Sequence, residues 1–524
     1  MVRSDIVKMY KGVHTWVGIV SGLFLFIAFY AGAITMFEEP LQRWATPPSE
    51  LPAPVSLEDT PELIATAIAA HPDIAKGYTV NVETGPERPA RLEWVVWPEG
   101  RSRGAPQHVY AAAMADHGSL QTFRQDPAPV AQFIDTLHQH VGLPFSLYFM
   151  GVVALLYAIA LVSGLIILLP SLVKDLFALR LGKNLKRMWL DVHNVLGIFS
   201  LPFHLIMALT ALIFAFHDPI YGSQDKLAYN GQIEAMFEAN ETPHDAPLRE
   251  DVPFVSPADV VNTLERSDPG FTVRWLTYST TPDGQAQLQA FGKRDGYGLR
   301  GPTFGFAMMH PYTGDVMAYD YMPGRQQGYL ATVTSFFALH FGNFGGNPIR
   351  WAYFALGLGG AFLFYSGNIL WIESRRKKQR GGATVQQRRD TRILGALTVG
   401  VSLGCVSGIS LTIAAAKVLP AFEAQAQSAH MLIYYAAFLV AVVLAFLLGA
   451  ARGAVVLSGI AALACFMIPI ASVVTPLWYG WNHGDVTWLV DLVAVMGGLA
   501  LIAMMHRTRQ RGKNAPEDSI WYAG

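Results

Sequence analysis

"HTWVGIVSGLFLFIAFYAGAITMFEEP" (His14–Pro40) and "HNVLGIFSLPFHLIMALTALIFAFHDP" (His193–Pro219) align without a gap. His14 falls on His193, Gly18 on Gly197, Ser21 on Ser200, Phe37 on Phe216 and Pro40 on Pro219. Each stretch is an apolar run of bilayer-crossing length, for which about 20 residues suffice. "AGA" at Ala31–Ala33 has the form of a signal cleavage site. A cleaved leader would not share its pattern with an internal helix, so the first run is read as a retained span.

A second pair extends the repeat. "TLHQHVG" (Thr136–Gly142) lies over "ALHFGNFGG" (Ala338–Gly346), placing His138 on His340. "SGLIILL" from Ser163 lies over "SGNILWI" from Ser366 with one residue of slip. Between the members of each pair sits a polar segment. "TPELIATAIAAHPD" and "SPADVVNTLERSDP" read as short amphipathic helices with a Ser/Thr or Asp start signal. "YTVNVE", "ARLEWVVW" and "HVYAAAMADHGSL" follow in one segment as alternating strands. "FTVRWLTYS", "AQLQAFG" and "GFAMMHPYTGDVM" follow in the other. The unit of helix, α/β module and helix therefore occurs twice in the same direction, as in folds with a pseudo-two-fold axis along the membrane normal.

Composition agrees: 52% of residues are hydrophobic and 15% charged. The net charge of −1 says nothing about nucleic acid, but the sequence has no basic stripe or nucleic-acid motif, so no nucleic-acid partner is expected. Apolar runs near 13–36, 147–170, 191–215, 351–373, 393–415, 430–450, 454–474 and 486–506 predict a polytopic α-helical membrane protein of about eight transmembrane helices with two small α/β modules. The second and fourth spans are extended back to about 132 and 332. The division is a first span (1–36), a module (37–131), second and third spans (132–216), a second module (217–330), a fourth span (331–374), a basic loop (375–392), four further spans (393–506) and a tail (507–524). Arg3, Lys8, Lys11, Lys174, Arg180, Lys183, Lys186, Arg187, the run Glu373–Arg392, Arg452 and "RTRQRGK" all fall on one side if both termini are cytoplasmic. The modules are then outside. Cys405 and Cys465 lie in apolar runs and read as core residues.

Ionisable residues at membrane depth are rare and mark bonded or functional positions. His14 and His193 lie at the inner ends of the first and third spans, and His138 and His340 at the outer starts of the second and fourth. His204 lies eleven residues after His193. On an ideal helix that separation is about 20° of rotation and roughly 16 Å of rise, so both face one way. The plain alternative for any single histidine is an interhelical hydrogen bond. Matched pairs in both repeats favour a shared ligand instead, although duplication also copies structural residues. Zinc or copper would want carboxylate or thiolate company. Haem is apolar, suits a helix bundle and accepts neutral imidazoles as axial ligands. A flat ring beside a helix needs small neighbours, and Gly18, Gly197 and Gly142 each follow a histidine by four residues. The fourth span has Phe344 at that place. Depth divides the candidates into two haem b groups: one with His14 and His193 (or His204), one with His340 and His138 or His140. His204 aligns with Leu25, so it has no twin, and is read as a ligand specific to one haem or a buried hydrogen bonder. Trp16, Trp189 and Trp351 read as interfacial anchors, as do His430, His483 and His506. Arg43 and Arg350 are ordinary boundary arginines that would also suit haem propionates. No GxGxxG unit follows a strand, and "GLGG" from Gly357 lies inside a span, so an external electron donor is implied.

"HTWVGIVSG", "LHQHVGLP", "DVHNVLGIFSLPFHL", "LHFG" and "HPYTGDVM" together resemble the PepSY-associated transmembrane helix family of iron-regulated bacterial inner-membrane proteins, over roughly residues 5–380. His310 stands where that strand-turn usually carries Asp, and the first module matches loosely with "MADHGSL". The resemblance implies two periplasmic PepSY-like modules and a di-haem reductase in the bacterial inner membrane. Electrons would come from a quinol or a separate cytoplasmic reductase and pass to a ferric siderophore or other ferric chelate. Two other classes compete. One is a non-enzymatic PepSY protein whose modules bind a peptidase or envelope partner. The other is a secondary transporter, for which Asp491 is the main acidic candidate. Membrane lipid is a partner in every case.

Overall fold

A computed structural model describes residues 4–47, 51–85, 88–96, 108–114, 119–124, 128–142, 147–172, 185–232, 246–249, 251–301, 304–319, 321–377, 385–422, 426–479 and 488–523. Lys174, Arg180, Lys183 and His483 lie outside them. The chain forms two compact units: Met1–Pro47 with Ala128–Phe216 and Trp351–Gly524, and Pro48–Pro127 with His217–Arg350.

The helices are α1 (Ser4–Thr35), α2 (Glu38–Ala45), α3 (Thr60–Ala70), α4 (Val130–His140), α5 (Leu147–Leu168), α6 (Leu185–Phe199), α7 (Leu201–Ala228), α8 (Pro257–Ser267), α9 (Gly328–Phe341), α10 (Gly346–Ser374), α11 (Arg389–Val418), α12 (Ala426–Tyr479) and α13 (Trp488–Lys513). Seven of these are long and apolar enough to cross a bilayer: α1, α5, α7, α10, α11, α12 and α13. As one straight helix, α12 would run about 80 Å, far beyond a hydrocarbon core of about 30 Å. Gly449 breaks it with φ 73° and ψ 167°. Beyond it, a Cβ on Gly453 would stand 3.3 Å from the Cα of Ala445, so the chain has turned back on itself. Two spans result, 426–448 and 450–479, and the expected eight crossings are present.

The third span is divided at Ser200. Its hydrogen-bond ladder continues through the join, from the Ser200 N–H to the Leu196 carbonyl (3.0 Å) and from the His204 N–H to the Ser200 carbonyl (2.9 Å). Pro202 has no N–H to offer and loosens the turn. The second and fourth spans do not start at 132 and 331 as expected. α4 and α9 are separate short helices, ended by left-handed residues at Val141 (φ 47°), Gly142 (φ 71°) and Gly342 (φ 62°).

α11 packs on the first half of α12 through Gly400, Gly404 and Gly408, spaced four apart on one face. Added Cβ atoms would lie 2.8 Å from the Cα of Val442, 3.1 Å from the Ala441 side chain and 2.8 Å from the Tyr434 ring. Small residues at this spacing let two backbones approach closely in a membrane, where apolar burial gives helices no preference for each other over lipid.

The second unit holds one antiparallel sheet. Its strands are β1 (Gly77–Asn81), β2 (Leu92–Val96), β3 (His108–Met114), β4 (Leu120–Arg124), β5 (Ala246–Pro247), β6 (Phe271–Thr280), β7 (Gln285–Arg294), β8 (Gly305–Met309) and β9 (Val316–Ala318). The order is β4-β3-β2-β1-β6-β7-β8-β9, with β5 on β7. The two expected modules are therefore not separate sheets, because β1 pairs with β6. Tyr78 faces Tyr278 in that register, and their rings stack at 5.0 Å. Helix starts repeat at the same offset. Ser56 donates to Asp59 (2.7 Å) and Ser256 to Asp259 (2.8 Å), and each serine oxygen accepts the aspartate N–H. α3 and α8 place Leu63, Ala67, Val260 and Leu264 in the core beneath the sheet.

Candidate functional site

His14 on α1 and His193 on α6 come together in the first unit, with ring centroids 6.3 Å apart and planes at 75°. Both imidazoles are held by Nδ1. His14 Nδ1 donates to the Ala160 carbonyl at 2.8 Å. His193 Nδ1 lies 3.0 Å from Ser366 Oγ, whose own hydrogen goes to the Leu363 carbonyl at 2.8 Å, so the imidazole is the donor. That arrangement fixes the Nδ1–H tautomer and leaves Nε2 with a lone pair. Neither Nε2 has a hydrogen-bond partner among the described residues.

The repeat is visible in the packing. His14 lies against Ser163 and Gly164, with Ser163 Oγ 3.5 Å from Nδ1 and an added Gly164 Cβ 3.0 Å from Cε1. His193 lies against Ser366 and Gly367, where an added Cβ would be 3.5 Å from Cε1. The paired Ser-Gly dipeptides of the second and fourth spans are thus seats for the paired histidines. They were aligned in the sequence, but their role was missed, since nothing local ties a serine on one helix to a histidine 149 residues away.

His204 on α7 is fully buried. Its Nδ1 is 2.6 Å from the Tyr157 hydroxyl. Its Nε2 is buried without a partner among the described residues. Phe29, Phe203 and Gly360 enclose the ring. His138 on α4 donates from Nδ1 to the Ala28 carbonyl at 2.8 Å, with Gly32 beneath its ring. His140 ends the same helix, partly exposed. His340 belongs to α9 of the second unit, edge-on to Phe341 at 5.7 Å.

The three glycines singled out by spacing differ. A Cβ on Gly18 would meet nothing within 4 Å, and one on Gly197 only Leu363 at 3.9 Å, so both leave room for a flat group beside the helix. Gly142 has another duty: its φ is left-handed, and Tyr435 of α12 donates to its carbonyl while crowding its Cα.

Other candidates resolve individually. Trp16 is 62% exposed, as an anchor would be in lipid, whereas Trp189 packs on Phe362 and Tyr365. Trp351 lies against Phe37 at 4.5 Å. Arg43 lies on α2 and Arg350 on α10. His506 is exposed near the end of α13. His430 is not interfacial as expected. It is fully buried, tilted against Phe133, and neither ring nitrogen has a partner among the described residues. Asp491 accepts from Trp44 Nε1 (3.2 Å) and Ser472 Oγ (2.8 Å), and Lys417 donates to that serine at 2.7 Å. These bonds tie α2, α11, α12 and α13 together. No group of three or more His, Cys, Asp or Glu able to hold a bare metal ion occurs among the described residues.

Eight apolar crossings around a set of Nδ1-anchored imidazoles define a multi-pass membrane protein with a histidine-lined core. The family model for the PepSY-associated TM region matches residues 12–374. The chain belongs to that family. None of the curated proteins matches it. In this setting His310 has a clear part: its Nδ1 accepts from the backbone N–H groups of Tyr312 (3.3 Å) and Thr313 (3.2 Å). An imidazole nitrogen thereby caps the turn to Gly314 as an aspartate carboxylate would.

Proposed function

We propose that the chain is a haem-b electron-transfer protein of the bacterial inner membrane that reduces a ferric siderophore or another ferric chelate on the periplasmic side. The carrying observation is the His14–His193 pair. Two imidazoles that hold one metal ion must come close together, and the His14 and His193 ring centroids lie 6.3 Å apart. A metal-ligating histidine ordinarily gives its other ring N–H to a carbonyl or similar acceptor, which sets the tautomer and raises ligand basicity. Ala160 and Ser366 fill that role here. Open space at Gly18 and Gly197 suits the edge of a macrocycle.

His14 and His193 would hold one haem, and His204, with its orphaned Nε2, is the further candidate in the same unit. Bound haem supplies an iron that cycles between ferric and ferrous states. Phe29, Phe203 and Tyr157 enclose the His204 ring and keep water from it. His138, His140 and His340 are proposed as the outer ligand candidates on the sequence repeat. One electron per ferric ion suffices, and hard oxygen donors hold the ferrous product less tightly. A quinol or a separate cytoplasmic reductase is the donor class, since the sequence carries no dinucleotide fingerprint of its own.

The test is a reduced-minus-oxidised spectrum of the purified protein with a haem-to-protein ratio. The expected ratio is two, falling in His14→Ala and His193→Ala. Absence of haem absorption overturns the reading and leaves envelope-partner binding by the modules as the function.

A further inference from the structure

The second feature lies in the C-terminal helices, away from the histidines. α11 opens with Arg389 and Arg392, one turn apart and so on one face. Opposite them is the point where α12 reverses at Gly449. A cavity of about 490 Å³ lies between, lined by the two arginines and by Ile393, Phe446, Leu447 and Ile520.

Arg388 next door is paired with Asp390 at 2.8 Å, and Arg376 is paired with Asp518. Arg389 and Arg392 have no carboxylate partner among the described residues. The opposite wall is apolar and uncovered: Phe446 is 47% exposed and Leu447 75%. Two guanidinium forks without a carboxylate partner among the described residues, beside an open apolar wall, match one kind of molecule. It must carry an anionic oxygen group and a hydrocarbon tail.

We propose that this cleft binds an anionic phospholipid, with Arg389 and Arg392 donating to the headgroup phosphate and an acyl chain lying along Phe446 and Leu447. Planar guanidinium groups grip phosphate oxygens in fixed bidentate geometry. Basic pockets between helices at a membrane boundary are suited to such headgroups. A soluble phosphate compound would satisfy the arginines and leave the apolar wall bare. The left-handed backbone at Gly449 (φ 73°) sets the reversal that holds the wall opposite the arginines.

Native mass spectrometry of the delipidated full-length protein, titrated with phosphatidylglycerol or phosphatidylcholine, tests this. Each cationic side chain near a headgroup is worth about a five-fold change in affinity, so Arg389→Gln/Arg392→Gln should weaken phosphatidylglycerol binding roughly 30-fold. Arg509→Gln, a charge change elsewhere on α13, should leave it unaltered. Leu447→Asp keeps both arginines and should also weaken binding, which separates a lost site from a misfolded one. Equal affinity in the double variant, equal preference for phosphatidylcholine, or full displacement by inorganic phosphate at matched concentration would each overturn the proposal.

Discussion

His193, His14 and His138 each rest on a glycine, and the space left at each glycine differs, so a graded alanine series follows. At Gly367 an added methyl stands 3.5 Å from His193 Cε1, an ordinary van der Waals distance. At Gly164 it stands 3.0 Å from His14 Cε1 and 3.2 Å from Nδ1, so the ring must give by a few tenths of an ångström. At Gly32 it meets His138 Nδ1 at 2.6 Å and Cε1 at 2.7 Å, which cannot be kept. Overpacking a closed helix interface costs about 1–3 kcal/mol. At Gly32 the His138 bond to Ala28 is also lost, a further 0.5–1.5 kcal/mol or about that. Thermal melts should therefore rank Gly367→Ala near wild type, Gly164→Ala lower, and Gly32→Ala lowest by roughly 2–4 kcal/mol. If haem is bound as proposed, the difference spectrum should follow the same order. A flat series, or Gly367→Ala as the most damaging member, would refute the seating of the histidines on these glycines.

Ser366→Ala removes the acceptor of His193 Nδ1, and should cost about 1–3 kcal/mol in a melt and shift the midpoint potential of any haem on that ligand. Lys417→Met removes the Lys417–Ser472 bond and the cation near Asp491, while Asp491 keeps its bonds from Trp44 and Ser472, and should cost about 1–3 kcal/mol in a melt; a melt unchanged from wild type contradicts the cluster. Burial, then Asp135 and Glu39, raises Glu38 from 4.5 to about 7. The folded chain therefore binds this proton more tightly than the unfolded one, and the contribution to stability is lost as pH rises from about 4.5 through 7. Glu38→Gln should raise the melting temperature at pH 8 and leave it unchanged at pH 4; a gain at acid pH alone would reverse the sign.

The eight crossings, the duplication and the His14–His193 relationship were legible because each rests on local pattern: apolar run length, or identity at a fixed offset. The Gly400, Gly404 and Gly408 stripe was equally legible by its spacing of four, and passed unread because the C-terminal helices lay outside the repeat. The Tyr157–His204 bond joins residues 47 apart on different helices, and nothing in either neighbourhood announces it. His430 reads as interfacial from its place near a helix end, and its burial against Phe133 of α4 has no signal in its own neighbourhood. The joining of the modules through β1 and β6 was hidden for the same reason: strand alternation says which face is buried, never which edge meets which partner.

That join has an evolutionary reading. The pairing of β1 with β6 joins the two halves edge to edge and sets Tyr78 against Tyr278. An edge that pairs with its own copy in antiparallel fashion is isologous, the kind of contact that closes a two-fold dimer. A chain holding one repeat alone would leave that edge open, available to a sister molecule or to aggregation. With both repeats in one chain that pairing is intramolecular and independent of concentration, which leaves each half free to differ. His204, present in one half and replaced by Leu25 in the other, is what such freedom permits.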